Sequence, residues 1–287
     1  MLATDVSATG CLSSWVNGVA YVGIFIKSST ATWDITGVDG IPSGWTVQVE
    51  GGVTPEPEPE RDYLCFTSTG DSTVAMQQHG TPNTSANKVI QYKLNNGKWQ
   101  NWDLSAISLA DGDKMYLKSD DTIPTSEIGE SEIVEEIIIG KCFVMTGSIA
   151  ASGNVMSLLN FAETIPAYGF MLLFSGCTSL TTAPELPATT LNEGCYMGMF
   201  QECTSLTTAP ELPALELVSN CYTQIFCDCS KLNYVKASFT TDPTSGSYLD
   251  LWLSGVSSTG TFVKNSAATW NVTGVNGIPT GWTVQTV

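Results

Sequence analysis

The chain has 287 residues, 43% of them hydrophobic and only 14% charged, and its 28 acidic against 11 basic side chains leave a net charge of −17. A chain this apolar can bury a core, so it reads as an acidic globular protein and not as a disordered polyanion. With no basic run along it, phosphate backbones and anionic lipid would repel it, so neither nucleic acid nor a membrane surface is expected as a partner.

No apolar run reaches the roughly 18 residues that cross a bilayer; the densest, "EIIIGKCFVM" at 136–145, has the length of a strand. The start, "MLATDVSATGC", lacks the basic and apolar regions of a signal peptide. The expectation is a piece of a longer exported chain, or a protein that needs no signal, as in a virion.

In chain order, residues 15–48 come first. They align without gaps with residues 252–285 at an offset of 237, with 21 identities in 34 positions. Residues 1–50 therefore read as an orphan copy of a carboxyl-terminal cap, stranded by recombination or truncation within a longer tandem protein. "GGVTPEPEPE" (51–60) alternates proline and glutamate, the composition of an extended, self-repelling linker.

Residues 61–125 read as a β-sandwich-like domain. "YLCFTS", "STVAMQQ", "VIQYKLNNGKWQNWDL" and "KMYLKSDD" are bounded by Gly-Asp, Asn-Gly and Asp-Gly, the signals of hairpins. Trp99 and Trp102 are three residues apart, so on a regular strand they face opposite sides and one is exposed beside asparagine and glutamine amides. An exposed indole there could stack on a sugar ring; the alternative is that both belong to the core and its rim. Asp111, Asp113, Asp120 and Asp121 gather four carboxylates, a weak Ca²⁺ candidate set against ordinary turn chemistry, and not at EF-hand spacing. His79, the one histidine, lies in a loop with no nucleophile motif around it.

Residues 126–239 read as a connector followed by repeats. Five glutamates between 127 and 136 mark a solvated segment, and then "FSGCTSLTTAPELPATTLNEGCYMGM" (174–199), "FQECTSLTTAPELPALELVSNCYTQI" (200–225) and "FCDCSKLNYVKASF" (226–239) follow one another at a strict 26-residue period. That period lies in the range of leucine-rich repeats. One helix per unit is expected, because Leu191, Cys195, Met199, Phe200 and Cys203 recur near helical spacing and Thr190-x-x-Glu193 offers a capping box. A short strand, "SLTTA" (179–183), would be closed by Pro184. "ETIPAYGFMLLF" reads as a degenerate first helix and "NVMSLLNF" (154–161) as the first strand.

Units of this kind cannot bury their apolar stripe alone, so stacking and caps fold them. Residues 240–287, with Trp252, Trp270 and Trp282, read as a β-rich cap. Cys177, Cys203 and Cys229 are repeat positions, as are Cys195 and Cys221, which suggests buried free thiols in place of a disulfide framework or a metal site. Thr182, Thr208 and Tyr234 share one column, a candidate polar ladder for ligand contact. Glu185 and Glu211 lie one coil apart, and a carbohydrate-active enzyme would need two carboxylates facing one cleft.

The unit Cys177-Thr-x-Leu180, Ala183-Pro184-x-Leu186-Pro187, Cys195-Tyr196-x-x-Met199-Phe200 resembles the leucine-rich repeats of BspA-like surface proteins of Bacteroides-type gut bacteria and their phages, over about residues 140–287. The resemblance implies an α+β fold, a short leucine-rich repeat solenoid flanked by the β-sandwich-like domain and the tryptophan-bearing cap. It also implies a non-enzymatic attachment protein, extracellular on a bacterial cell or a virion, that binds a cell-surface glycan or protein and uses no cofactor. The orphan cap adds an alternative, an architectural or assembly element that associates with its own kind. Family arrays are longer than this one, which offers two clear units and two partial ones.

Overall fold

The computed structural model describes residues 23–27, 45–49, 61–78, 89–119 and 141–287, in two compact units, Met1–Arg61 and Asp62–Val287. His79, Asp120, Asp121, the 51–60 linker and the glutamate-rich connector lie outside the described residues.

In the first unit, β1 (Gly23–Lys27) and β2 (Trp45–Val49) pair in parallel, Gly23 opposite Trp45 and Lys27 opposite Val49.

The second unit opens with two sheets. One runs β11 (Leu180–Thr182), β10 (Ile149–Ser152), β3 (Leu64–Ser68), β8 (Lys114–Ser119), β5 (Ile90–Leu94), β6 (Gln100–Asn101); the other runs β7 (Ile107–Leu109), β4 (Ser72–Gln78), β9 (Lys141–Thr146). Side chains alternate across each strand, so Leu64, Phe66, Met115, Leu117 and Ile90 turn inward and are buried. Phe66 meets Phe143 of the facing sheet edge-on at 5.0 Å, and Trp102 stacks on the same ring. Of the three turn signals, only Asn96-Gly97 closes a hairpin, between β5 and β6. Gly70-Asp71 and Asp111-Gly112 carry the chain from one sheet to the other, because β3 and β8 belong to the large sheet and β4 and β7 to the small one.

Two expectations are corrected. Residues 154–161 are not a strand: Val155–Leu159 is a 3-10 turn whose first turn is capped by Asn154 Oδ1 accepting from Met156 N, and which ends at Asn160 in the left-handed region. The buried Ser157 hydroxyl fixes it to the large sheet, accepting from Leu64 N and donating to the Leu117 carbonyl. The second correction concerns the repeats, which contain no α-helix; among the described residues the protein is β-rich, with only short 3-10 turns beside its strands.

The segment read as a helix is a ladder of turns. Its recurrence is four residues and not 3.6, as Leu191, Cys195, Met199 and Cys203 show. Every fourth residue is left-handed: Tyr168, Leu172 and Gly176 in the first coil, Gly194, Gly198 and Glu202 in the second, Asn220, Gln224 and Asp228 in the third. A left-handed residue cannot continue a right-handed helix. Alternate N–H groups close local turns instead: those of Cys195, Met197, Met199, Gln201 and Cys203 donate to the carbonyl three residues back. The other half point to the next coil. Tyr196 N donates to Cys221 O, Gly198 N to Thr223 O and Phe200 N to Ile225 O, at 2.8–3.2 Å. The first coil binds the second identically through Phe170, Leu172 and Phe174.

Aromatic columns fill the interior, at the same period from coil to coil and with Phe143 of β9 at one end. Phe143, Phe174, Phe200 and Phe226 stack at 5.0, 5.3 and 5.6 Å, and Phe170, Tyr196 and Tyr222 at 6.0 and 5.9 Å. Each such contact adds about 0.5–1.5 kcal/mol beyond area burial. The end of the stack is covered by a parallel sheet, β12 (Tyr234–Ala237), β13 (Thr261–Lys264), β14 (Thr283–Thr286). Phe239 of the last coil stacks on Trp270 at 5.0 Å and meets Trp252 edge-on.

The turn ladder reverses the expected sign of two substitutions. In an α-helix Gly198→Ala would stabilise by about 1 kcal/mol. Here φ is +61° and a Cβ would meet Leu172 Cδ2 of the preceding coil at 2.6 Å, so the substitution should destabilise by about 1–2 kcal/mol. Gln224→Gly, at φ +56°, should be neutral to stabilising by up to about 1 kcal/mol. Urea denaturation midpoints of the two variants distinguish a turn ladder from a helix.

Candidate functional site

The outward face of the large sheet brings together residues from β3, β8 and β5 and the loop before β6. Register sets Cys65 beside Tyr116 and Tyr116 beside Lys93, while Gln91 lies between Lys118 and Asn101. Strand alternation turns all of these away from the core. Tyr63 precedes β3, and its ring meets Trp99 edge-on at 4.9 Å. The Lys93 ammonium lies over three rings, at 4.9 Å from Tyr116, 5.2 Å from Trp99 and 5.9 Å from Tyr63. Lys118 Nζ lies 4.9 Å from the Trp99 ring centre, but this side chain is buried, only 8% exposed. On the flank, Gln91 Nε2 donates to Asn101 Oδ1.

The two tryptophans thus take different places. Trp102 is 5% exposed, inside the core, with its indole N–H donating to Ser105 O at 2.9 Å. Trp99 is half-buried on the opposite side. Its ring is covered by ammonium groups, so it offers an aromatic edge within a cationic cluster and not a bare platform for a neutral sugar. Residues 61–119 hold six of the 11 basic side chains and five of the 28 acidic ones, a net +1 (6 − 5) within a chain of −17.

Sequence reasoning singled out Trp99 and passed over Tyr63, Lys93, Tyr116 and Lys118, which the structure sets beside it. The alternation in "YKL" and "KMYLKS" puts lysine and tyrosine on definite faces. Which strands stand side by side is what it does not reveal.

The other candidates separate. Both Asp113 carboxylate oxygens serve the turn, accepting from Asn95 Nδ2 and Ala110 N at 2.9 Å, and the Asn95 bond leads in lowering its pKa. Among the described residues no group of three or more His, Cys, Asp or Glu side chains could hold a metal ion. The Thr182 hydroxyl donates to Ala151 O and is used within the fold. Thr208 and Tyr234 are parallel neighbours, and their column continues through Thr261 and Thr283 of the cap, two members the repeat period did not include.

Glu185 and Glu211 line one open groove of about 390 Å³ whose other walls include Pro184, Pro187, Pro210 and Pro213. Glu211 is held 2.9 Å from Lys236 Nζ, an ammonium that the carboxylate in turn stabilises.

The described cysteines are all free and buried. Three of them serve the coils: Cys177, Cys203 and Cys229 Sγ donate to the carbonyls of Phe143, Phe174 and Phe200 at 3.0–3.2 Å. Burial pushes Cys195 and Cys229 up to about 12 and Cys221 to about 11, so none supplies a thiolate nucleophile near neutral pH.

These thiols set a pH dependence. Their pKa is raised on folding, so their stabilisation is complete below the ordinary thiol value of 9.0 and is lost as pH climbs toward about 12. The melting temperature should be flat from about pH 7 to 8.5 and fall steeply above about pH 9.5. Iodoacetamide at pH 8, followed by mass spectrometry, should leave Cys195, Cys203, Cys221 and Cys229 unmodified until denaturant is added.

Comparison of the chain with protein-family models, with curated proteins and with solved structures returns no match.

Proposed function

We propose that this is a non-enzymatic attachment protein, displayed on a bacterial surface or a virion, that binds a carbohydrate carrying carboxylate or sulfate groups on the outward face of its large sheet. The single observation that supports this is the Lys93 cluster: one ammonium ringed by Tyr63, Trp99 and Tyr116, with Lys118 over the same indole. The rings supply apolar contact to a pyranose edge, the Lys93 ammonium attracts an acidic substituent with the buried Lys118 behind the indole, and the Gln91 and Asn101 amides offer hydrogen bonds to hydroxyls. In the same reading the coils form a short leucine-rich solenoid of BspA-like type, supported by the 26-residue period and the coil-to-coil hydrogen bonds.

A glycoside-cleaving role for the proline-lined groove is the weaker reading. Cleavage would use two carboxylates facing one substrate, whereas Glu211 is half-exposed and already bonded to Lys236 Nζ at 2.9 Å. An assembly role is favoured by a different observation, the pairing of β1 with β2 in the register of β13 with β14.

The test uses the intact chain on an array of uronate-bearing, sulfated and neutral saccharides. Acidic saccharides should bind above neutral ones, and added salt should weaken them. Lys93→Gln and Trp99→Ala should each weaken binding about tenfold or more, about 1.4 kcal/mol, while Thr208→Ala leaves it unchanged. A folded protein that binds no acidic saccharide, or one indifferent to Lys93→Gln, counts against the proposal.

A further inference from the structure

The chain contains its own template for what covers β1. Shifted by 237 residues, the pair Ile24 opposite Thr46 becomes Thr261 opposite Thr283, and Lys27 opposite Val49 becomes Lys264 opposite Thr286. The two copies therefore agree in backbone pairing as well as in sequence. In the carboxyl-terminal copy the free edge of β13 carries β12, the strand of the last coil, in parallel with Tyr234 opposite Thr261 and Ala237 opposite Lys264. Among the described residues β1 has β2 on one side and no strand on the other.

An unpaired strand edge is a template for another strand, and the second copy identifies its chemistry. The strand β12, Tyr-Val-Lys-Ala, buries Val235 and Ala237 against the core, and Phe239 follows it. Trp270 stacks on Phe239 and donates its indole N–H to the Phe239 carbonyl at 3.2 Å. The last coil's turn ladder ends on the cap too, with Phe226 N donating to Trp252 O and Asp228 N to Ser254 O. The residues that do this in the cap, Trp252, Phe262 and Trp270, are Trp15, Phe25 and Trp33 in the first copy.

The array of this chain does not need a second cap, since β10 lies on β11 at one end and β13 on β12 at the other. We infer that residues 15–49 are a cap for the terminal coil of another leucine-rich-repeat array, whose last strand and following phenylalanine pair in parallel with β1. This rests on the assembly reading above and names its partner.

The test exchanges one cap for the other in the full chain, replacing residues 252–285 with the sequence of residues 15–48. The exchanged chain should melt within about 5 °C of the parent, with Cys221 and Cys229 as unreactive toward iodoacetamide as before. The Phe262→Asp chain, in which the resident cap is broken, is the reference for an uncovered array. Exchange-chain thiols that react as fast as those of Phe262→Asp overturn the inference.

A second measurement follows amide hydrogen exchange at Ile24–Lys27 in the full-length Phe262→Asp chain. There the released β12 of one molecule becomes available to β1 of another, and at high protein concentration exchange should slow about tenfold or more relative to the parent. Unchanged exchange at Ile24–Lys27 also overturns the inference. Binding of acidic saccharides at Trp99 is read on the arrays independently of either outcome, so the failure of one proposal does not imply failure of the other.

Discussion

The structure depends on where the backbone N–H groups of the coils go. A left-handed residue at every fourth position stops each turn from growing into a helix and divides the donors into two sets. One set closes turns within the coil, and the other crosses to the next coil at 2.7–3.2 Å. Burying an N–H without a partner costs about 1–3 kcal/mol, so the five that each coil directs across that edge can be buried only where the next coil supplies carbonyls. Stacking is therefore required by the backbone as well as by the apolar stripe. The cysteines extend the same logic, since a thiol is small enough for the core and still donates weakly to a carbonyl of the coil before it.

Much of this was legible in the sequence. The 26-residue period identified the stacking unit, and it correctly assigned Phe174, Phe200 and Cys203 to the core. The three tryptophans that marked the carboxyl-terminal segment, Trp252, Trp270 and Trp282, are all buried. The conformation of the repeat was misread because periods of 3.6 and 4 differ by less than half a residue per turn and both put Leu191, Cys195 and Met199 on one side. The discriminating signal was Gly194 and Gly198, which a helix tolerates poorly and a left-handed turn favours. At the equivalent places the neighbouring coils carry Tyr168, Leu172, Asn220 and Gln224, which hide that signal.

Sheet pairing was less legible. A Gly-Asp or Asp-Gly turn between two apolar runs reads as a hairpin, yet two of the three here pass the chain between facing sheets. The turn fixes only the reversal of direction, and the partner is chosen by long-range packing such as Phe66 against Phe143. For the same reason the cluster around Lys93 could not be read from local alternation. Its members come from residues 63, 93, 99, 116 and 118, and only the order β3-β8-β5-β6 makes them neighbours.

That order also bears on how so acidic a protein could receive an acidic ligand. Residues 61–119 sum to +1, so the remaining residues carry −18 (−17 − 1). At physiological salt the Debye length is about 8 Å, and charges beyond it contribute little at the sheet face. An anion approaching elsewhere meets excess carboxylate, whereas at Lys93 it meets an ammonium backed by aromatic rings. On the proposed function, the acidic remainder disfavours wrong placement of an anion, while the Lys93 cluster favours the right one. On the proposed function, the sheet face is where a specific contact with an anion has both the ammonium and the aromatic rings.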